Sequence, residues 1–452
     1  MHPTRSFTLS CLAFVAIVAL SGQAFASSAT VGLCAGPGTH YTTIGAAVSA
    51  PGVTTVDVCP GTYPEQVNIT SNLKLIGIVD GATDAAVVIP PSGGLVQNGL
   101  DIFGSPVAAQ IFVASTSASP SVTVSHLTVD GTGNILTGCG GATLEGIYFQ
   151  NTAGIITDNV VRNQYQTDFT DYGGCQNGLA INVESLTALD VTVSDNSVRA
   201  YQKNGITATG AATGPGSRGP AVTINANYIV GLGATPMNWP GGAGENGVQI
   251  GFGATGTVSG NIVNDNVWYG EYPQYNYAGQ GGTTPGNGAS GILVYASTNI
   301  TVSDNNVGSA QFGIAVDTDD VYGYGPADNA IIESNKVSGT QIFDAIDVCS
   351  SSNTVKSNTI YGSAESAVHS DDSCGSGNNN KVTNNIINEA CAGVLTGTGS
   401  GGTYSPNTYL NVTNTTLAGD SCTPPPVGPQ VKEAAKAVSS SPRTSPFMPN
   451  RK

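Results

Sequence analysis

Positive charge is scarce in this chain. Of 452 residues only 14 are Lys or Arg, against 30 Asp or Glu, and the net charge is −16. Such a surface does not neutralise phosphates, so neither nucleic acid nor an anionic membrane is expected as a partner. Histidine is scarcer still, with four residues, and no C-x-x-C occurs, which argues against zinc. Beyond the N-terminus no apolar run is long enough to span a membrane, and neither a heptad nor a Gly-x-y period supports a coiled coil or collagen.

What is present is glycine (60 residues) and enough hydrophobic residues (40%) for a sizeable core. Residues 1–26 have the form of a cleaved signal: Arg5, an apolar stretch from Leu9 to Leu20, then Ala24-Phe25-Ala26. The expected location is therefore outside the cytoplasm, extracellular or periplasmic. Without Cys11 of the signal, eight Cys remain: Cys34, Cys59, Cys139, Cys175, Cys349, Cys374, Cys391 and Cys422. An even number in an exported chain points to disulfides, with Cys349 and Cys374 the leading pair because 25 residues is about one repeat. Residues 423–452 are rich in Pro, Ser and Lys and read as a disordered tail. Between residues 27 and 422, eight basic residues face 29 acidic ones, a charge of −21. A monomer is expected.

The body is repetitive. An apolar residue, two mostly polar ones, Asn, one more residue and a second apolar residue recur as ITDNVV, VSDNSV, INANYI, VSGNIV, VSDNNV, IESNKV, VKSNTI and VTNNII. The Asn positions are 159, 196, 227, 261, 305, 335, 358 and 385, so the shortest repeat takes 23 residues and longer intervals carry insertions. Ahead of each Asn runs a short alternating segment such as NGLAINV, NGITATG or FGIAVDT, which predicts strands of about four to six residues. A unit this short cannot bury its own apolar side, but stacked units bury a continuous core. Asn at one turn of every rung is expected to form a hydrogen-bonded ladder.

The NG(I/V)xV strand followed by VSxNxV resembles the right-handed parallel β-helix repeat of the pectate-lyase-like superfamily, over residues 39 to 418. The stretch from Tyr41 to Ile78 is similar to the N-terminal segment of pectin methylesterases and related β-helices. The resemblance implies an all-β solenoid with a short N-terminal capping helix at about Ile44 to Ala50 and a G-x-Y-x-E turn at Gly61, Tyr63 and Glu65. It is specific for fold and poor for activity. The paired Asp, Gln and Arg motifs of pectin methylesterases are absent. Arg162, Arg199, Lys203 and Arg218, the candidates for a lyase base, fall at scattered phases.

Three consecutive rungs carry the strongest polar pattern: GIAVDTDD, AIDVCSS and AVHSDDS. Aligning Ile314, Ile346 and Val368 as inward puts Ala315, Asp347 and His369 in one outward column and Asp317, Cys349 and Asp371 in the next. Strand geometry then sets Asp347 on the order of 8 Å from Asp317 and Asp371, within the separation of about 6.5–9.5 Å used by inverting glycosidases. The arrangement resembles that of the polygalacturonase family, whose Gly-His loop and Arg-Lys motif this sequence lacks. Three readings stay open for the cluster: a solvated acidic surface, a Ca²⁺ site that includes Asp319, Asp320 and Asp372, and catalysis by Asp317, Asp347, His369 and Asp371.

Two insertions, 235–247 and 266–288, hold both Trp residues and four Tyr. Trp239, Trp268, Tyr269, Tyr272, Tyr275 and Tyr277 are candidates to contact sugar rings through flat apolar faces. The expected partner is thus a polysaccharide. The rival functions are a hydrolase, a non-catalytic adhesion or structural module, and a polysaccharide lyase. If all eight Cys are paired, titrating the denatured, unreduced mature protein with a thiol reagent returns no reactive Cys.

Overall fold

The computed structural model describes residues 27–79, 81, 84–168, 177–211, 219–233, 244–267, 289–319, 323–340, 343–374, 376–419 and 421–422. The expected signal, the tail and the six insertion aromatics lie outside them. Within them the chain coils in rungs of three strands. Ala153–Thr157, Val160–Gln164 and Leu179–Ser185 form one rung. These pair in parallel with Asp190–Ser194, Ser197–Tyr201 and Asn204–Gly210 of the next. Thirteen strands stack into one sheet, and the other two series join in a 23-stranded sheet.

The alternation seen in sequence builds the interior. Val124, Ile156, Val193, Ile224 and Val258 occupy successive rungs of the first sheet and are all buried. Ile181, Ile206, Val248, Ile292, Ile314, Ile346 and Val368 do the same in the third series. β-branched side chains suit such stacks because they pack well on a pleated surface. One apolar cluster runs without a break from Ala29 to Val394.

The eight Asn form the expected ladder and all are buried. Asn305 represents them. Its Oδ1 accepts from Asn261 N (3.0 Å) and Nδ2 (2.9 Å), and its Nδ2 donates to Val258 O (2.9 Å) and Asn335 Oδ1 (3.0 Å). The residue before each ladder Asn is left-handed, among them Asp158, Ala226, Asp304 and Ser334 at φ between 56° and 59°. This explains the small polar residue at that position, since Asn, Asp and Gly tolerate left-handed backbone best. The ladder gains a ninth member in Asn407, which accepts from Asn385 Nδ2 at 3.0 Å. Its flanks, Tyr404 and Tyr409, are aromatic rather than β-branched, which hid it in the sequence.

A helix forms at Ile44–Val48, two residues shorter than expected, and sends Ile44, Ala47 and Val48 into the core. The G-x-Y-x-E turn holds it. Both Glu65 carboxylate oxygens accept from the first-turn amides of Ile44 and Gly45 at 2.9 Å, and Tyr63 donates its hydroxyl to Cys59 O at 2.8 Å. Disulfides join Cys34–Cys59, Cys349–Cys374 and Cys391–Cys422, and Cys139 is also disulfide-bonded. The Cys349–Cys374 bridge is the pair that the repeat length indicated. No helix among the described residues is long and apolar enough to cross a membrane.

Asn305→Ala leaves Val258 O and the Asn261 amide groups without their buried partners. It should lower unfolding stability by on the order of 1 to 3 kcal/mol, read as a drop in Tm; an unchanged Tm for both Asn305→Ala and Asn335→Ala would refute a stabilising ladder.

Candidate functional site

The register places Ala315 beside Asp347 and Asp347 beside His369. Tyr295, Asp317 and Cys349 follow one another in the neighbouring column, and Asp371 joins it because its N–H donates to Val348 O at 3.0 Å. Asp317, Asp347, His369 and Asp371 thus share one outward face. Leu293 and Leu395 bound the first column above and below.

A further carboxylate completes the group. Asp344 is buried at the start of the Asp347 strand, and its Oδ2 lies 3.3 Å from His369 Nδ1, against 3.8 Å for Asp347 Oδ1. The histidine therefore lies nearer to Asp344 than to Asp347, its neighbour in the column. Ser366 fixes Asp344 by donating both its amide and its hydroxyl to Oδ1. Burial alone would lower the His369 pKa, but the hydrogen bond and charge of Asp344, then the charges of Asp347 and Asp371, raise it to about 10. Burial also pushes Asp347 well above the carboxylate range; His369 opposes the shift and Asp317, Asp371 and Asp344 add to it. At neutral pH the site thus holds an imidazolium paired with Asp344, beside an Asp347 that burial pushes towards its neutral form. Both Asp347 Oδ1 and His369 Nε2 are buried with no hydrogen-bond partner among the described residues.

The surrounding carboxylates differ in what they touch. Asp371 closes a turn, accepting from Ser373 N at 2.8 Å and Ser373 Oγ at 2.7 Å. Asp372 accepts from the Thr398 amide and hydroxyl, which lowers its pKa. Asp319 is buried and accepts from Tyr295 Oη (2.7 Å) and Tyr324 N (2.6 Å), so it ties a loop together. Asp320 lies outside the described residues. Two groups among the described residues bring three ligand-type atoms within 4.8 Å of one another, and neither contains Asp319 or Asp372. One is Cys349–Asp371–Cys374, whose Cys are bridged to each other, and the other is Asp344–Asp347–His369. Glu365, not singled out in the sequence, is pushed up to about 7 by burial first and Asp344 second.

The basic residues named for a lyase sit elsewhere. Arg162 is held by Asp84 and Asp130, each at 2.7 Å, in the middle strand series. Lys203 is buried with its Nζ on Gly244 O, and burial brings its pKa down to about 7. Arg218 lies outside the described residues. A cavity of about 100 Å³ opens between Ser197, Arg199, Tyr228 and Leu232, also along the middle series and not at the acidic group.

Sequence missed a second acidic group on the same face. Glu145 and Glu184 are both buried, and Asn182 Nδ2 donates to Glu145 Oε1 at 3.0 Å and to Glu184 Oε1 at 3.1 Å. Nothing in TLEGIYFQ or INVES signals this, because the two Glu come from different rungs and from unequal strand positions.

No protein-family model matches the sequence, and no curated protein is significantly similar to it. Solved structures do share its architecture. The GH136 lacto-N-biosidase from Eubacterium ramulus is 10% identical with a TM-score of 0.52, covering 87% of this chain and 67% of that one. The A-module of a mannuronan C-5 epimerase from Azotobacter vinelandii is 12% identical with a TM-score of 0.45, covering 83% and 92%. A surface adhesin of Streptococcus pneumoniae is 14% identical with a TM-score of 0.45, covering 83% and 87%. At these identities the likeness concerns the fold: the chain is a right-handed parallel β-helix.

The His369 charge contributes stability that is whole below the ordinary histidine value of 6.5 and is lost as pH rises towards about 10. NMR of the His369 Cε1–H in the folded protein should show a midpoint near 10, and Asp344→Asn should bring it down markedly. A midpoint unmoved by Asp344→Asn would show that the pair does not hold the proton.

Proposed function

We propose that the protein is an exported, carbohydrate-active β-helix whose acid–base centre is Asp347 with Asp317, positioned by His369 and Asp344. The observation that carries this reading is the buried Asp347 Oδ1 and His369 Nε2, both without a hydrogen-bond partner on the outward face. Buried polar groups are normally satisfied, and exceptions mark places where a ligand completes the set. A glycosidase of the same fold among the structural neighbours supports the reading.

The chemistry fits glycoside hydrolysis. Asp347 holds a proton that it would deliver to the leaving glycosidic oxygen as the bond from the anomeric carbon breaks. Asp317, one column over and within the reach that raises Asp347, would take a proton from the water that bonds to that carbon. Asp371 already closes a turn on Ser373, so we assign it the electrostatic part. His369 stays charged, and its Nε2–H would donate to a ring hydroxyl. A neutral sugar is the better substrate, because a body so acidic repels a polyanion and no Arg clamp adjoins the cluster. Export is supported by the disulfides, which persist in oxidising compartments.

Screening residues 27–422 against neutral polysaccharides should reveal reducing-end release that slows as pH rises through the elevated Asp347 titration. Asp317→Asn and Asp347→Asn should each lower turnover by at least about 100-fold with Tm retained. Unaltered turnover in both variants, or an unsaturated product absorbing in the ultraviolet when a uronate polysaccharide is added to the screen, rejects the hydrolase reading; the latter result indicates a lyase.

A further inference from the structure

The Asp347 column continues towards the N-terminus as Leu293, Gln249, Thr207, Asn182 and Tyr148. Its middle is closed on itself. Asn204 Nδ2 donates to Thr207 Oγ1 and Gln249 Oε1, and Asn246 Nδ2 donates to Asn204 Oδ1 and Gln249 Oε1, all within 3.2 Å. Its N-terminal end is not. Among the described residues Glu145 Oε2 and Asn182 Oδ1 are buried with no hydrogen-bond partner, about five rung spacings or roughly 24 Å from Asp347.

The two carboxyl groups at this end are unequal. Glu184 accepts from Tyr148 Oη at 2.6 Å, Asn182 Nδ2 at 3.1 Å and Ile102 N at 3.2 Å. Glu145 accepts only from Asn182. Burial raises both, and Glu145, which also feels the charge of Glu184, is raised well above the carboxylate range. Glu145, with fewer donors and the Glu184 charge beside it, is thus pushed further towards its neutral form than Glu184. Because both receive the same amide nitrogen, their near oxygens sit within about 6 Å of each other. The point between them is occupied by N–H donors, which disfavours a cation there. The unpartnered Glu145 Oε2 and Asn182 Oδ1 suit hydroxyl groups, which both donate and accept.

A hairpin covers the group. Gly99–Leu100 pairs antiparallel with Pro106–Val107, the one antiparallel strand pairing among the described residues. Its Ile102 amide sits on Glu184, and its Leu100 carbonyl accepts from Gln150 Nε2 at 2.6 Å. Leu100 and Phe103 on it point apolar surface into solvent, at 49% and 54% exposure. Underneath, Phe112 stacks on Tyr148 with ring centroids 5.3 Å apart. Aromatic surface beside paired carboxyls is the composition expected of a sugar site.

We infer that Glu145, Asn182 and Glu184, under the hairpin 99–106, form a second saccharide-binding centre that receives the hydroxyls of a neutral sugar. The inference is independent of the role given to Asp347, since the closed amide network separates the two groups. Lifting the hairpin replaces the Ile102 and Gln150 bonds by bonds to the sugar.

The test is calorimetric titration of the full mature chain with cellohexaose, maltohexaose, laminarihexaose and mannohexaose, in an Asp347→Asn background so that nothing is consumed. Saturable binding of at least one hexaose is expected, weakened at least tenfold by Glu145→Gln and by Asn182→Leu. Hydrogen exchange on the wild-type chain supplies a second readout needing no variant: the binding hexaose should alter exchange of the Ile102 amide. Saturable binding in the Asp347→Asn background that both Glu145→Gln and Asn182→Leu leave unweakened would place the sugar elsewhere and overturn the inference. So would absence of binding by all four hexaoses with unaltered Ile102 exchange, or Ca²⁺ binding lost in Glu145→Gln. Failure of the Asp347 reading alone, with turnover insensitive to Asp347→Asn, leaves the Glu145 result intact.

Discussion

The hydrogen bond from one rung's Asn to the next is the constraint on which the rest of the structure rests. Each ladder Asn ties a backbone amide and a side-chain amide to the rung that follows, as Asn261 does with Asn305. That link fixes register, and register fixes which residues face outward, because a slip of one residue in a period-two strand exchanges the two faces. Asp347 and His369 stand side by side only because Ile346 and Val368 are locked together as inward neighbours. The left-handed residue before each Asn is locally unfavourable by about 1 kcal/mol, and four bonds to a buried amide offset it.

The acidic groups then show how one face resolves the burial of carboxyls in several ways. Asp344 pairs with His369 and accepts twice from Ser366. Asp347 is pushed towards its neutral form by burial first, with Asp317, Asp371 and Asp344 adding to the shift and His369 opposing it. Glu184 gathers three donors while Glu145 has one. Each solution follows from the rule that an isolated buried charge is far costlier than a paired or neutralised one. The same rule makes the unpartnered atoms informative: Gln249 Oε1 and the Asn204 amide have partners, whereas buried atoms at both ends of the column have none among the described residues.

Legibility followed periodicity. The rung columns could be written down because Gly or Ala followed by Ile or Val opens each strand and alternation carries the rest, so Ala315, Asp347 and His369 fell into line from the sequence. The disulfide between Cys349 and Cys374 followed from the same repeat length. Asp344 escaped because it precedes the regular part of its strand, where alternation does not say which way a side chain points. Glu145 escaped for a related reason: it stands before Gly146 in a strand whose paired register skips that residue. The Gly99–Pro106 hairpin belongs to no repeat, so no period predicted that it would fold back over Glu184.

This division has a physical basis that extends to function. Inward residues of a solenoid answer to the rung above and the rung below, so they repeat and can be read. Outward residues answer to whatever covers them, and here that cover comes from the non-repeating parts, such as the hairpin at Ile102 and the loop that Asp319 closes onto Tyr324. A rigid array of identical rungs supplies equivalent outward positions at a spacing of about 4.8 Å, and the irregular segments decide which of them become dry enough to shift a carboxyl. Asp347 and Asp317 occupy neighbouring outward columns of that array, yet only Asp347 is deeply buried. Chemical difference between like residues therefore arises at the borders between repeat and insertion, where a regular scaffold meets an irregular cover.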